Sequence, residues 1–166
     1  MGPQFNVFSK LKKINIDAIQ AMEEESKDNL AIFTPNPKFP IYSSGLLANN
    51  YYKCLGKRMK FGTGSYKEYT EFKKHLVYMT GFKNEEEVVA HGGPVFFQEL
   101  IKYDDKEGVL GPIICRKLYN DFKDNYDVAK VYFERLENTE KKYLVHYQNW
   151  CKALFVAKQN GAILIN

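Results

Sequence analysis

The stretch that decides the fold is TEKKYLVHYQNWCKALFVAKQNGAILI, residues 139–165. Its apolar residues recur at intervals of three and four from Tyr143 to Phe155, which predicts an amphipathic helix over about 139–158. Gln159-Asn160-Gly161 is predicted to end this helix. The apolar run Ala162–Ile165 that follows predicts a buried terminal strand.

The N-terminus provides a second strand. Residues 4–9 alternate polar and apolar side chains, which is the period-two pattern of a half-buried strand. A chain of 166 residues is the size of one ordinary domain. We therefore expect an α+β fold, with a single helix-rich domain over 1–166 and a small sheet that includes the N- and C-terminal strands.

Helix-start signals divide the middle of the chain. Ser65 followed by Glu68 matches the capping box and predicts a helix over 66–80. Gly111-Pro112 predicts another helix start, because proline at the first helical position lacks only an amide that would have no partner inside the helix. The other predicted elements are a helical segment within 14–28, strands near 50–54 and 58–61, a short helix after Asn84, a helically spaced apolar run at 95–102, and a helix over 128–136.

The composition excludes several classes of protein. Hydrophobic residues make up 45% and charged residues 27%, as in folded chains and unlike disordered ones. The net charge of +4 is too small to indicate nucleic acid by itself. No apolar run approaches the roughly 18 residues of a membrane span. Residues 1–15 lack the apolar core of a signal peptide, so we expect a cytoplasmic protein with no membrane partner.

Cysteine usage indicates a reducing compartment. The three cysteines, Cys54, Cys115 and Cys151, are odd in number and form no C-x-x-C pair. The three histidines are equally scattered, so the sequence offers no set of ligands at zinc-binding spacing. Gly62-Thr63-Gly64 begins like a dinucleotide loop, but Lys67 stands where the third glycine is needed. We therefore predict no metal and no cofactor.

An acidic segment before Gly111 is the densest polar constellation. Three carboxylates, those of Asp104, Asp105 and Glu107, occupy four positions. Burial of one of them would raise its pKa toward the range needed for acid/base chemistry. The amides of the following helix start can instead attract an anion, or the carboxylates can cap that helix from a solvated loop. The predicted ligand-binding set is Ser65, Tyr66, Tyr69, Glu99, Tyr103, Asp105, Glu107 and Gly111.

A basic segment over 53–74 offers a second candidate site. It carries seven basic and two acidic residues, with aromatic residues interleaved. Such a pattern can contact a phosphate backbone while its rings stack on bases, although lysines on a helix surface more often serve solubility. The predicted nucleic-acid contacts are Lys53, Lys57, Arg58 and Lys60.

Aromatic residues make up 15% of the chain, and most of them fall into helical stripes that predict core packing. Five tyrosines near the acidic and basic segments lie outside these stripes. If the protein has a binding surface, we expect it to include Tyr51, Tyr52, Tyr66, Tyr103 and Tyr119.

Several motifs resemble those of a family of uncharacterised small proteins from bacteria and their phages. The matching stretches are Met1-Gly2, N-P-K-F-P at 36–40, G-S-Y-K-E-Y-T-E-F at 64–72, E-L-I-K-Y-D-D-K-E-G-V-L-G-P at 99–112 and K-L-Y-N-D-F at 117–122. Phe72 stands where the family has tryptophan, and residues 9–33 have no firm counterpart. The resemblance implies one domain and a bacterial or phage setting. It carries no activity over to any residue.

Three hypotheses about function follow. The first is a non-enzymatic intracellular binding protein that holds a small polar ligand or a segment of a partner protein between the helix starts at Ser65 and Gly111. The second is a glycosidase-like hydrolase in which Asp105 and Glu107 form an acid/base pair, with their carboxyls about 5 to 10 Å apart. The third is nucleic-acid binding through the basic segment, with affinity that falls steeply as salt rises.

Overall fold

The computed structural model describes residues 1–104 and 106–166. It confirms an α+β fold in which both ends of the chain contribute to one sheet. The strands are β1 (Gln4–Phe8), β2 (Leu11–Ile14), β3 (Leu30–Ile32), β4 (Tyr51–Cys54), β5 (Arg58–Gly62), β6 (Gly108–Leu110) and β7 (Ala162–Ile165). The helices are α1 (Ile16–Gln20), α2 (Glu24–Lys27), α3 (Tyr66–Met79), α4 (Glu85–Ala90), α5 (Gln98–Lys102), α6 (Pro112–Asp124), α7 (Tyr126–Glu134) and α8 (Lys142–Ala157).

The first sheet has the strand order β5-β1-β7-β6, and every pair in it is antiparallel. On β1, Phe5 lies opposite Phe61 of β5 and Ile165 of β7. Directly opposed residues share a face of the sheet, so these three buried side chains form its inner face. The pairing of β1 with β7 confirms that the two termini meet in one sheet.

Helices α6 and α8 cover the inner face of this sheet. Trp150 of α8 is fully buried, with its ring centroid 4.8 Å from that of Phe5 and 5.2 Å from that of Phe61. The apolar stripe predicted for α8 is therefore confirmed at its centre. The prediction is wrong for Phe155, which is 49% exposed because it lies at the edge of the stripe. No helix in the described part of the chain is long and apolar enough to cross a membrane.

The second sheet, with the order β2-β4-β3, accounts for most of the differences from the predicted elements. Residues 14–28 do not form one helix. They form the two short helices α1 and α2, which bury no side chain. The apolar residues there have helical spacing, but they do not pack into a core that would stabilise one longer helix. The short strand β3 then follows, and its alternation is too brief to be read from the sequence.

The predicted acidic loop before Gly111 also contains an unpredicted strand. Residues Gly108–Leu110 form β6, the edge strand beside β7, and all three are buried. Three residues are too few to show a periodic pattern, so their burial becomes evident only from the pairing with the C-terminus. The helix predicted over 95–102 is likewise shorter, because it begins only at Gln98.

Candidate functional site

The predicted residues at the start of α3 serve the helix itself. The Glu68 amide donates to Ser65 Oγ at 3.2 Å, and the Ser65 amide donates to Glu68 Oε2 at 2.7 Å, which confirms the capping box. Tyr66 is partly exposed, with the Lys106 ammonium 4.9 Å from its ring centroid. Tyr69 is buried in the core, its ring 5.6 Å from that of Phe5.

Tyr103 anchors Glu107 to the body of the protein. Its buried ring stacks on Phe39 at 4.6 Å between centroids, and its hydroxyl donates to the Glu107 carbonyl at 2.6 Å. Gly108 has a φ of +145°, and a Cβ atom there would lie 1.7 Å from the Tyr103 hydroxyl oxygen. Only glycine therefore fits where the segment turns into β6.

The other members of the predicted ligand-binding set lie apart from one another. The Gly111 amide donates to the Tyr42 carbonyl at 2.7 Å, and a Cβ atom at Gly111 would lie 2.5 Å from the Ser44 carbonyl oxygen. Glu107 is exposed and lines a groove of about 440 Å³ beside the proline-rich segment. Asp105 lies outside the described residues, so its proposed pairing with Glu107 stays a prediction.

Glu99 belongs to a charged network that joins α5 to α6. Its carboxylate lies 2.7 Å from the Lys117 ammonium, which lies 2.6 Å from the carboxylate of Asp121. Asp121 also accepts a hydrogen bond from the amide of Phe97, a residue held at a φ of +61°. Burial raises the pKa of Asp121, and the ammonium beside it opposes that shift. We interpret this network as structural, because its charged groups are bonded to each other.

The basic residues predicted to bind nucleic acid lie in different parts of the structure. The Lys53 position on β4 lies opposite Lys12, in the second sheet. The Arg58 guanidinium donates to the Asn29 carbonyl at 3.2 Å and lies 5.1 Å from the Phe8 ring centroid. Lys60 is exposed on β5, and Lys57 lines a different cleft.

That cleft, which we call the lysine cleft, opens between β5 and the helices α6, α7 and α8. Its volume of about 620 Å³ exceeds that of the groove beside Glu107 and is of the size that holds small ligands. It is lined by Lys57, Met59, Tyr119, Lys123, Tyr126, Asp127, Cys151, Lys152, Phe155 and Val156.

Hydrogen bonds to Ser9 position Lys57 at the mouth of the lysine cleft. The Ser9 hydroxyl accepts from the Lys57 amide at 2.6 Å, and the Ser9 amide donates to the Lys57 carbonyl at 3.0 Å. Ser9 itself is buried, which anchors this turn to the end of β1. The backbone of Lys57 is therefore held while its side chain extends into solvent.

Exposed ammonium groups surround an aromatic floor in this cleft. The side chains of Lys57, Lys123 and Lys152 make no ion pair with another described residue. Among the described residues that line the cleft, Asp127 is the one carboxylate, so their positive charge exceeds the negative by two. Such a site attracts an anion and offers aromatic surface to the rest of the ligand.

Cys151 supplies the one sulfhydryl among the described residues that line the cleft. Burial raises the pKa of its thiol to about 12. At neutral pH the sulfur is therefore protonated, and a protonated thiol is a poor nucleophile. Within residues 1–104 and 106–166, no three His, Cys, Asp or Glu side chains are grouped so that they could hold a metal ion.

Sequence reasoning identified Lys57 and Tyr119 as candidate contacts, but not Lys123, Lys152 or Phe155. The sequence feature that could have indicated a site here is the apolar stripe of α8, which is wider than one buried face. No family model, curated protein or solved structure matches this chain. The resemblance to the bacterial and phage family therefore stays a prediction.

Proposed function

We propose that this protein is a non-catalytic binding domain that holds an anionic ligand with an apolar or aromatic part in the lysine cleft. The observation that carries the proposal is the set of three exposed ammonium groups, none in an ion pair with another described residue, around one aromatic floor. The ligand's charge would lie at the rim, and its apolar part would cover the rings of Tyr119, Tyr126 and Phe155.

The chemistry of the lining residues favours binding over catalysis. A general acid or base must titrate near the working pH, and a cysteine nucleophile must be a thiolate. The Cys151 thiol is protonated, since burial raises its pKa to about 12. Lysines at a rim supply charge and apolar stems, and both contribute to affinity without any chemical step.

We expect the lysine cleft to bind anilinonaphthalene sulfonate, an aromatic anion, and the double variant Lys123→Glu/Lys152→Glu to bind it about tenfold more weakly. The reversed charges repel the sulfonate at the rim, while the aromatic floor is unchanged. Fluorescence titration of the folded protein at about 0.15 M salt, where the Debye length is about 8 Å, measures both affinities. Rising salt should weaken binding to the unaltered protein, because the ammonium groups are exposed.

The matched control is Lys67→Glu/Lys83→Glu, which makes the same change in net charge at exposed positions outside the cleft. We expect it to bind the dye within about twofold of the unaltered protein, since charges beyond a Debye length are screened. Thermal unfolding of each variant checks that the native state is retained. Equal loss of affinity in the two double variants would overturn the proposal.

A further inference from the structure

We infer that the ligand is an acidic, extended peptide segment that adds to the free edge of β5 as a fifth strand, an inference that rests on the proposed function of the lysine cleft. Strand addition to an exposed sheet edge is a common mode of peptide recognition. Main-chain hydrogen bonds supply affinity in this mode, and the pockets beside the edge select the side chains.

The hydrogen-bond register shows which backbone groups face this edge. The Ser9 amide donates to the Lys57 carbonyl, and Gln4 exchanges both of its backbone bonds with Asn166 on the β7 side. Hydrogen-bonded pairs alternate along an antiparallel ladder. Met59 and Phe61 therefore bond to β1, and the N–H and C=O groups of the even-numbered residues point away from it. Those residues are Arg58, Lys60 and Gly62.

Two recesses flank this edge, one on each face of the sheet. The lysine cleft lies on the helix side, and a groove of about 540 Å³ lies on the opposite side. Met59 lines both of them, which places their junction at β5. Successive side chains of a strand point to opposite faces, so those of an added strand would enter the two recesses alternately. We call the second recess the outer groove; its lining includes Phe8, Asp28, Leu30, Ile32, Arg58, Lys60 and Leu164.

The charges around the edge favour an acidic partner over a second copy of this chain. Of the residues that the structure describes, five cationic side chains and two carboxylates line the two recesses. Pairing β5 with another β5 would bring like charges together, which is how edge lysines prevent self-association. An acidic strand has the opposite charge, so its carboxylates would be attracted to Lys60 and Arg58 on the outer face of the sheet.

The shape of the recesses predicts the pattern of the peptide. An aromatic or large aliphatic side chain would enter the lysine cleft and pack on the adjoining rings of Tyr119 and Phe155, whose centroids lie 5.8 Å apart. Its neighbours along the strand would be acidic and would lie near Lys60 and Arg58. Because β5 has five residues, the segment contributes about the same number of residues to the pairing.

The probe is a fluorescein-labelled peptide of alternating glutamate and phenylalanine, and the readout is fluorescence anisotropy. The variant Lys60→Pro removes one outward amide without breaking the ladder to β1, since edge strands tolerate proline where the N–H faces solvent. We expect it to bind the peptide about tenfold more weakly. The matched variant Lys60→Gln loses the same charge but keeps the amide, and we expect a loss of about threefold or less.

Two further measurements separate strand addition from attraction by charge alone. Peptide methylated at alternate backbone nitrogens on the pairing edge should lose binding, although its side chains are unchanged. Amide hydrogen exchange of Arg58, Lys60 and Gly62 should be fast in the free protein and slow after peptide is added. The amides of Met59 and Phe61 should be protected in both states, because they bond to β1.

The outcomes keep the two proposals distinguishable. If Lys123→Glu/Lys152→Glu weakens dye binding but Lys60→Pro and N-methylation leave peptide binding unchanged, the strand-addition inference is wrong and the proposed function stands. Absence of peptide binding overturns the inference as well. Binding of an oligothymidylate in place of the peptide overturns it in favour of a nucleic-acid partner. If the cleft variants do not affect the dye, the proposed function itself fails.

Discussion

Replacing Trp150 with alanine is expected to lower the free energy of unfolding by about 3–5 kcal/mol, as truncation of a fully buried large side chain does. The indole is 0% exposed and lies between α8 and the sheet, against the rings of Phe5 and Phe61. Natural domains have free energies of unfolding of roughly 5–15 kcal/mol, so a domain at the low end of this range would lose nearly all of its stability. Urea denaturation followed by circular dichroism measures the change.

The matched control for this prediction is Trp150→Phe. The Trp150 Nε1 atom makes no hydrogen bond with any described residue, so the indole contributes volume but leaves a buried donor without a partner. Phenylalanine keeps most of the volume and removes the donor, and we expect a cost below about 1.5 kcal/mol. Similar losses for the alanine and phenylalanine variants would contradict the assignment of Trp150 to the packed centre of the core.

Asp121→Ala is expected to cost about 2–4 kcal/mol, because it breaks a charged network that is largely buried. The Asp121 carboxylate is the acceptor for the Phe97 amide at 3.0 Å and for the Lys117 ammonium at 2.6 Å. Without it, the Phe97 amide is left unsatisfied at a backbone conformation that non-glycine residues adopt only with strain. The start of α5 should loosen first, and hydrogen exchange of its amides reports this.

Two variants on the same helix test the cause of that loss. Asp121→Asn keeps an acceptor for the Phe97 amide but loses the charge, so its cost should be intermediate. Asp124→Ala removes an exposed carboxylate nearby and should change stability by less than about 0.5 kcal/mol. If Asp121→Ala is no more destabilising than Asp124→Ala, the network does not hold α5 in place.

Local patterns in the chain predicted the elements that carry strong periodic or capping signals. The stripe of α8, the capping box at Ser65 and Glu68, and the alternation of β1 each depend on residues close in sequence. The same signals are weak where elements are short, so the sequence predicts none of the strands β2, β3 and β6. A strand of three residues has no period that can be measured, and its burial comes from its neighbours in space.

The candidate site was only partly accessible to the same reasoning. Lys57 and Tyr119 were identified by composition, because one lies in a basic segment and the other is a tyrosine outside the core stripes. Apart from Met59 on β5, the remaining members of the lysine cleft lie on α6, α7 and α8, in segments with no distinguishing motif. The sequence predicts ligand contacts at Glu99 and Tyr103. In the structure, Glu99 forms an ion pair with Lys117, and the Tyr103 hydroxyl donates to the Glu107 carbonyl.

What the sequence by itself determined is the set of helices and strands with clear periodicity, the α+β class and the meeting of the two chain ends. Each follows from interactions between neighbours along the chain or from the simple need to bury one apolar face. Only the tertiary structure decided that β5 is an edge strand and that Lys57 and Lys152, 95 positions apart, line one cleft. Strand order and the joining of distant surfaces depend on how all elements pack together, and no local pattern encodes that arrangement.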